Sequence, residues 1–125
     1  MKKYKKYIFI ICPVRNITKK ENIYLQNYVK KLEEKNYLVH FPPRDTKQND
    51  KTGLNICNQN KKAIKKADEI HVYWSNNSEG RLFDFGMAFM ANKPFVLINN
   101  KQIKKTSRKG FHNVLIQLNS QNKNQ

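Results

Sequence analysis

The sequence is short of acid. Nine Asp and Glu stand against 25 Lys and Arg in 125 residues, a formal charge of +16. That excess has two readings: attraction for a polyanion or a phosphorylated ligand, or lysines spread over solvated faces. The lysines come as pairs (Lys2-Lys3, Lys19-Lys20, Lys61-Lys62, Lys104-Lys105) and do not form one block interleaved with aromatics. No nucleic-acid-binding motif accompanies them, so a nucleic-acid partner is not expected. Cysteine is scarce too. Cys12 and Cys57 have no CxxC companions, and His40, His71 and His112 are scattered. Neither a disulfide framework nor a metal site is therefore expected, and no cofactor is implied. Long apolar runs are also lacking. Tyr7 to Cys12 is cut short by Pro13, whereas a membrane span takes about 20 residues and a signal peptide needs a longer core and a cleavage site. The expectation is a cytoplasmic protein with no membrane partner. The length suits one domain, over residues 1–118, followed by a polar tail over 119–125.

The apolar residues that are present are clustered. Tyr7 to Cys12 is short, continuous and β-branched, which predicts a strand buried on both faces. Thr18 and Glu21 have the spacing of a capping box, and a helical pattern follows to about Lys35, with Asn36 as a C-terminal residue. Tyr37 to Phe41 reads as a strand ended by Pro42-Pro43, and Arg44 to Gly53 as a loop. Asn55 to Ala67 reads as a helix with Ile56, Ala63, Ile64 and Ala67 inward. Glu69 to Trp74 is a third strand, Leu82 to Ala91 a largely buried helix, Phe95 to Ile98 a fourth strand and Val114 to Leu118 a fifth. Alternation of this kind predicts an α/β fold, a doubly wound, Rossmann- or flavodoxin-like sheet of about five mostly parallel strands. In such sheets ligands sit beyond the carboxyl ends of the strands, at a switch point in strand order. The turn Pro13 to Thr18 and the loop Ser75 to Leu82 would share that edge.

The segment Trp74 to Pro94 holds the candidate chemistry. Ser78 and Gly80 precede a helix, whose free N–H groups favour an anion. Ser78 alone reads equally well as an N-cap. Asp84 falls a turn into that helix, an acid between Phe83 and Phe85. It is a candidate nucleophile or clamp on hydroxyl groups, or else an acid complementing the helix dipole. Glu79 is the reserve carboxylate. Arg15 reads as a phosphate contact or a surface charge, and Tyr73 and Trp74 as a base-stacking wall or as core.

Residues 67–94, ADEIHVYWSNNSEGRLFDFGMAFMANKP, resemble the nucleoside 2-deoxyribosyltransferase family and its relatives that hydrolyse nucleotide N-glycosidic bonds. The matching positions are Asp68, Ser78, Gly80, Asp84, Gly86, Ala88, Lys93 and Pro94. Cys12-Pro13-Val14-Arg15-Asn16 is similar to the family's first loop, which holds the sugar or 5′-phosphate. The resemblance implies a carboxylate, here Asp84, that attacks the anomeric carbon of a (deoxy)ribosyl unit. Pro13, Arg15, Asn16, Ser78 and Gly80 would hold sugar or phosphate, and Tyr73 or Trp74 would flank the base. It implies a nucleoside or nucleotide as partner and a homo-oligomer, a dimer or higher. Two departures stand out. The family normally has Glu where this chain has Asp84, and often Gly where it has Pro13. Two functions stay open at this point: cleavage or transfer at an N-glycosidic bond, or a non-catalytic module that senses or sequesters a nucleotide.

Overall fold

The computed structural model describes residues 3–75 and 80–123. The chain runs β1 (Lys6–Ile11), α1 (Lys19–Glu34), β2 (Tyr37–His40), α2 (Pro42–Asp45), α3 (Leu54–Lys66), β3 (Glu69–Val72), α4 (Gly80–Met90), β4 (Phe95–Leu97) and α5 (Phe111–Lys123). Among the described residues the sheet has four strands, all parallel, in the order β2-β1-β3-β4. The order reverses between β1 and β3, which makes their carboxyl ends the switch point of a doubly wound sheet.

Beyond Lys6, β1 is apolar because it is covered on both sides. Ile8 and Ile10 point into a cluster with Leu25, Val29 and Leu32 of α1. Phe9 and Ile11 point the other way, into a cluster with Ile64 of α3, Phe85 and Ala88 of α4 and Leu115 of α5. Alternation along a strand sends neighbours to opposite faces, so Tyr73 joins the α1 side and Trp74 the other. The α1 side also carries a polar chain. The Tyr28 hydroxyl lies 2.6 Å from His71 Nδ1, and His71 Nε2 lies 3.0 Å from Glu69, which pairs with Lys6 at 2.9 Å. The His71 hydrogen bond, then Lys6, holds the Glu69 carboxyl down to about 2.

Local signals set the helix ends. Thr18 Oγ1 accepts from Glu21 N, and Glu21 Oε1 accepts from Thr18 N, each at 3.0 Å, a closed capping box. Asn36 takes φ 67° just past α1, the left-handed conformation that asparagine tolerates. Gly53 takes φ 87° before α3, where any side chain would be strained. Leu25, Val29 and Leu32 form the buried stripe of α1, while Ile23 and Tyr24 are exposed.

The last element departs from expectation. Val114 to Leu118 is no strand: it lies within helix α5. A short apolar run does not by itself separate strand from buried helix, and here Leu115 and Asn119, four apart, are the buried pair. The boundary at 118 falls inside this helix, and 119–123 continue it instead of forming a polar tail. Asn119 is buried, and its Oδ1 accepts the N–H of Leu97 at 2.9 Å, so it satisfies a donor of β4. Arg44 to Gly53 is likewise not all loop, since Pro42–Asp45 forms the short α2, with proline at its start where no N–H is needed.

Asn119→Leu, close in volume, leaves the buried Leu97 N–H without its acceptor. It is expected to lower stability by about 1–3 kcal/mol, read from urea unfolding midpoints. A residue in a frayed tail would show no change.

Candidate active site

The two loops that leave the switch point start from paired strand ends. Ile11 lies opposite Val72, and the Tyr73 N–H donates to Ile11 O at 2.8 Å. Trp74 is then clamped from the far side. Asn99, buried after β4, accepts from Trp74 N at 3.0 Å and donates to Trp74 O at 2.9 Å. This two-point bond fixes the Trp74 backbone and so the indole. The ring meets Phe85 edge-on at 5.8 Å and Phe111 at 6.2 Å, and the Arg81 guanidinium sits over it at 4.6 Å. Arg81 is thus held by a cation–π contact in the first turn of α4.

Asp84 lies one turn further along α4 and is half-buried. Asn60, buried on α3, turns its Nδ2 to both carboxylate oxygens, at 3.2 and 3.4 Å. Burial pushes the Asp84 carboxyl up from 3.8 to about 6, and the Asn60 donor pulls against that rise. Among the described residues no cation is bonded to it. The same carboxylate reaches the end of β1: after burial, its charge is the next cause of the raised Cys12 thiol, and it also raises Cys57 on α3. Asp84 therefore stands between the exit of β1, the middle of α3 and the start of α4. At neutral pH it is a mostly ionised carboxylate in a low-dielectric setting. Such a group can attack an electrophilic carbon or stabilise positive charge developing near it.

The other residues singled out from sequence divide. Gly80 is the exposed first residue of α4. Pro13 is buried, while Arg15 and Asn16 are exposed in the turn after β1. The hydrogen-bond partner of Asp84 among the described residues is Asn60, not Arg15. Tyr73 is packed toward α1, with its ring 6.0 Å from Tyr24, so Trp74 alone of the pair faces the α4 side. Ser78 and Glu79 lie outside the described residues. Several motif positions are scaffold. The Asp68 carboxylate accepts from Tyr7 N at 2.8 Å, joining β1 to the start of β3. Lys93 Nζ donates to the carbonyls of Lys65 and Ala67 at 2.9 and 2.8 Å and so closes the end of α3. Ala88 is the fully buried contact of α4 with the core, whereas Gly86 is exposed with open space where a Cβ would stand.

Asn60 and Asn99 escaped the sequence reading. Asn60 had a signal: it shares the inward stripe of Ile56, Ala63, Ile64 and Ala67, where a polar residue needs a polar partner. Asn99 had none, since its partners are the main chain of Trp74.

A cavity of about 320 Å³ opens beside Trp74, lined by Trp74, Arg81, Thr106, Lys109, Phe111 and His112 among others. That is within the size range of small-molecule sites. Its described lining carries three basic side chains, Arg81, Lys109 and His112. Another hollow, of about 210 Å³, lies at the opposite end of β4 around Lys93 and Pro94, and its lysine is already committed to α3.

No family model matches the chain, and no curated protein matches its sequence. Its fold is nonetheless shared with solved structures. A CMP N-glycosidase from Clostridium botulinum superposes with a TM-score of 0.62 at 17% identity, covering 90% of this chain and 82% of that one. A 2-deoxyribosyltransferase from Bacillus psychrosaccharolyticus gives 0.60 at 15% identity, over 73% of this chain and 70% of that one. A 2-deoxyribosyltransferase from Leishmania mexicana gives 0.58 at 21% identity, over 74% and 63%. The α/β architecture read from the sequence is the architecture of these three proteins.

Proposed function

We propose that this chain is an enzyme of the nucleoside 2-deoxyribosyltransferase and nucleotide N-glycosidase group, which breaks the N-glycosidic bond of a nucleotide with Asp84 as nucleophile. The observation that carries this reading is the Asp84 carboxylate itself, bonded to no cation among the described residues, raised to about 6 and set at the switch point. The fold shared with a CMP N-glycosidase and two deoxyribosyltransferases supports it. One Asp84 oxygen attacks the anomeric carbon. The C–N bond breaks, its electron pair leaves with the base, and the base takes up a proton. A glycosyl ester on Asp84 remains, which water or a second base then resolves. The transition state is oxocarbenium-like, so a nearby anion lowers its energy, as in retaining glycosidases. Trp74 lines a cavity whose basic side chains, Arg81, Lys109 and His112, favour a phosphorylated substrate.

Asp84→Ala is expected to abolish base release from nucleoside 5′-monophosphates. Asp84→Glu is expected to cost about 100-fold, because the extra methylene displaces the attacking oxygen by about 1 Å. Attack requires the ionised form, so the rate should climb as pH rises through about 6 and level off above it. Base release by Asp84→Ala at the wild-type rate would refute this assignment. Ligand-dependent stabilisation without product, from the wild type, would leave the binding-only reading instead. Lys109→Gln is expected to raise KM about tenfold for 5′-monophosphates and to leave unphosphorylated nucleosides unaffected, the loss of one charge-assisted hydrogen bond. Equal effects on both would remove the phosphate from the proposal.

The same proposal includes a homo-oligomer. Phe83 and Met90 are 58% and 84% exposed on α4, and with Gly86 between them they make an apolar stripe on the helix that carries Asp84. Met90→Glu should lower the sedimentation coefficient to that of a monomer; a wild-type protein already monomeric at micromolar concentration would exclude the interface.

A further inference from the structure

Asp84 is the end of a longer chain. His40 Nε2, at the end of β2, lies 2.7 Å from Thr46 Oγ1; Thr46 Oγ1 donates to Asn60 Oδ1 at 2.7 Å; Asn60 Nδ2 faces Asp84. Thr46 and Asn60 are buried, and the His40 ring is stacked on Phe9 at 5.2 Å, so none of the three is free to swing away. A hydroxyl has one hydrogen. Since Thr46 gives it to Asn60, the contact with His40 must have His40 Nε2–H as the donor. An ionised carboxylate only accepts, so the Asn60 NH₂ is the end turned to Asp84 and Oδ1 is the end that takes the Thr46 hydrogen. Every hydrogen bond in the chain donates toward Asp84.

We propose that Asn60 is the positioning residue for Asp84, and that Thr46 and His40 act through it by locking its amide in the one orientation that presents N–H groups to the carboxylate. The catalytic consequence rests on Asp84 being the nucleophile; the donor chain itself does not. Donors aligned in series polarise one another, so the last one binds an anion better than an isolated amide would. The chain holds the carboxylate toward its charged form against the effect of burial. It also fixes the rotation of a side chain with one fewer methylene than Glu. The neighbouring titratable groups do not supply this. Cys12 at the end of β1 and Cys57 on α3 have thiols pushed up by burial and stay neutral. Arg81, the cation one turn earlier on α4, lies over Trp74. At the far end, burial lowers His40, with Asp45 acting to raise it and Arg44 to lower it, so a neutral imidazole is the donor at neutral pH.

The test is the ¹³C carboxyl titration of Asp84, assigned by its loss in Asp84→Asn, in wild type, Thr46→Val, Thr46→Ser and His40→Phe. Thr46→Val keeps the shape and removes the hydroxyl. It is expected to move the Asp84 midpoint upward by about one pH unit and the acid limb of kcat with it, with KM little changed. Thr46→Ser should restore the midpoint. His40→Phe, stacked on Phe9 in place of the imidazole, should shift it in the same direction by less, and it serves if Thr46→Val does not fold. An unshifted midpoint in both Thr46→Val and His40→Phe overturns the proposal. So does an equal shift in Thr46→Ser, which would make packing the cause. The titration decides this even if Asp84→Ala remains active, an outcome that would refute only the nucleophile.

Discussion

β1 and β3 run side by side in the middle of the sheet, and every other element takes its place from that pair. A parallel pair cannot be joined by a tight turn, so each strand end must send its chain over a face of the sheet. From β1 the chain crosses by α1 to β2 on one side; from β3 it crosses by α4 to β4 on the other. The two exits diverge and leave an open edge between them. Both central strands are covered on each face by helices, which confines their charged residues, Lys6 and Glu69, to the amino ends. Polar chemistry is pushed to the carboxyl ends, where Trp74 leaves β3 and Asp84 enters with α4.

A chain with so few acids places them selectively. Glu69 is tied to His71 and Lys6, Asp45 to Arg44, and Asp68 to the main chain of Tyr7. Asp84 differs in that burial raises its carboxyl, whereas Glu69 and Asp45 are held down by their cationic partners. Under the proposed function this difference has a use: a structural acid gains from being quenched, whereas a nucleophile must keep its charge available, at some cost in stability. A strongly positive surface would then raise the local concentration of a phosphorylated substrate without neutralising a carboxylate held inside.

Much of the architecture was legible in the order of residues. The apolar run ended by Pro13, the capping box at Thr18 and the left-handed Asn36 are local features, and the structure has each of them where its chemistry requires. The carboxyl end of the chain was misread for an equally local reason. Val-Leu-Ile-Gln-Leu suits a strand as well as a helix, and only packing against β4 decides between them. The purpose of motif residues was less legible than their positions. Lys93 and Asp68 hold strands and helix ends together, which spacing alone cannot distinguish from contact with a ligand.

The sequence by itself therefore determined the layered α/β fold, the switch-point edge and Asp84 as the acid out of place in an apolar helix, because periodicity, caps and proline act over a few residues. The tertiary structure decided what surrounds that acid. His40, Thr46, Asn60 and Asp84 are spread over 45 positions and four segments, and only the packing of α3 between the end of β2 and the start of α4 brings them into line. It also separated Tyr73 from Trp74, adjacent in sequence, onto opposite faces of the sheet. Hydrogen bonds between remote side chains leave little trace in spacing, so the shorter carboxylate was visible in the sequence and its support was not.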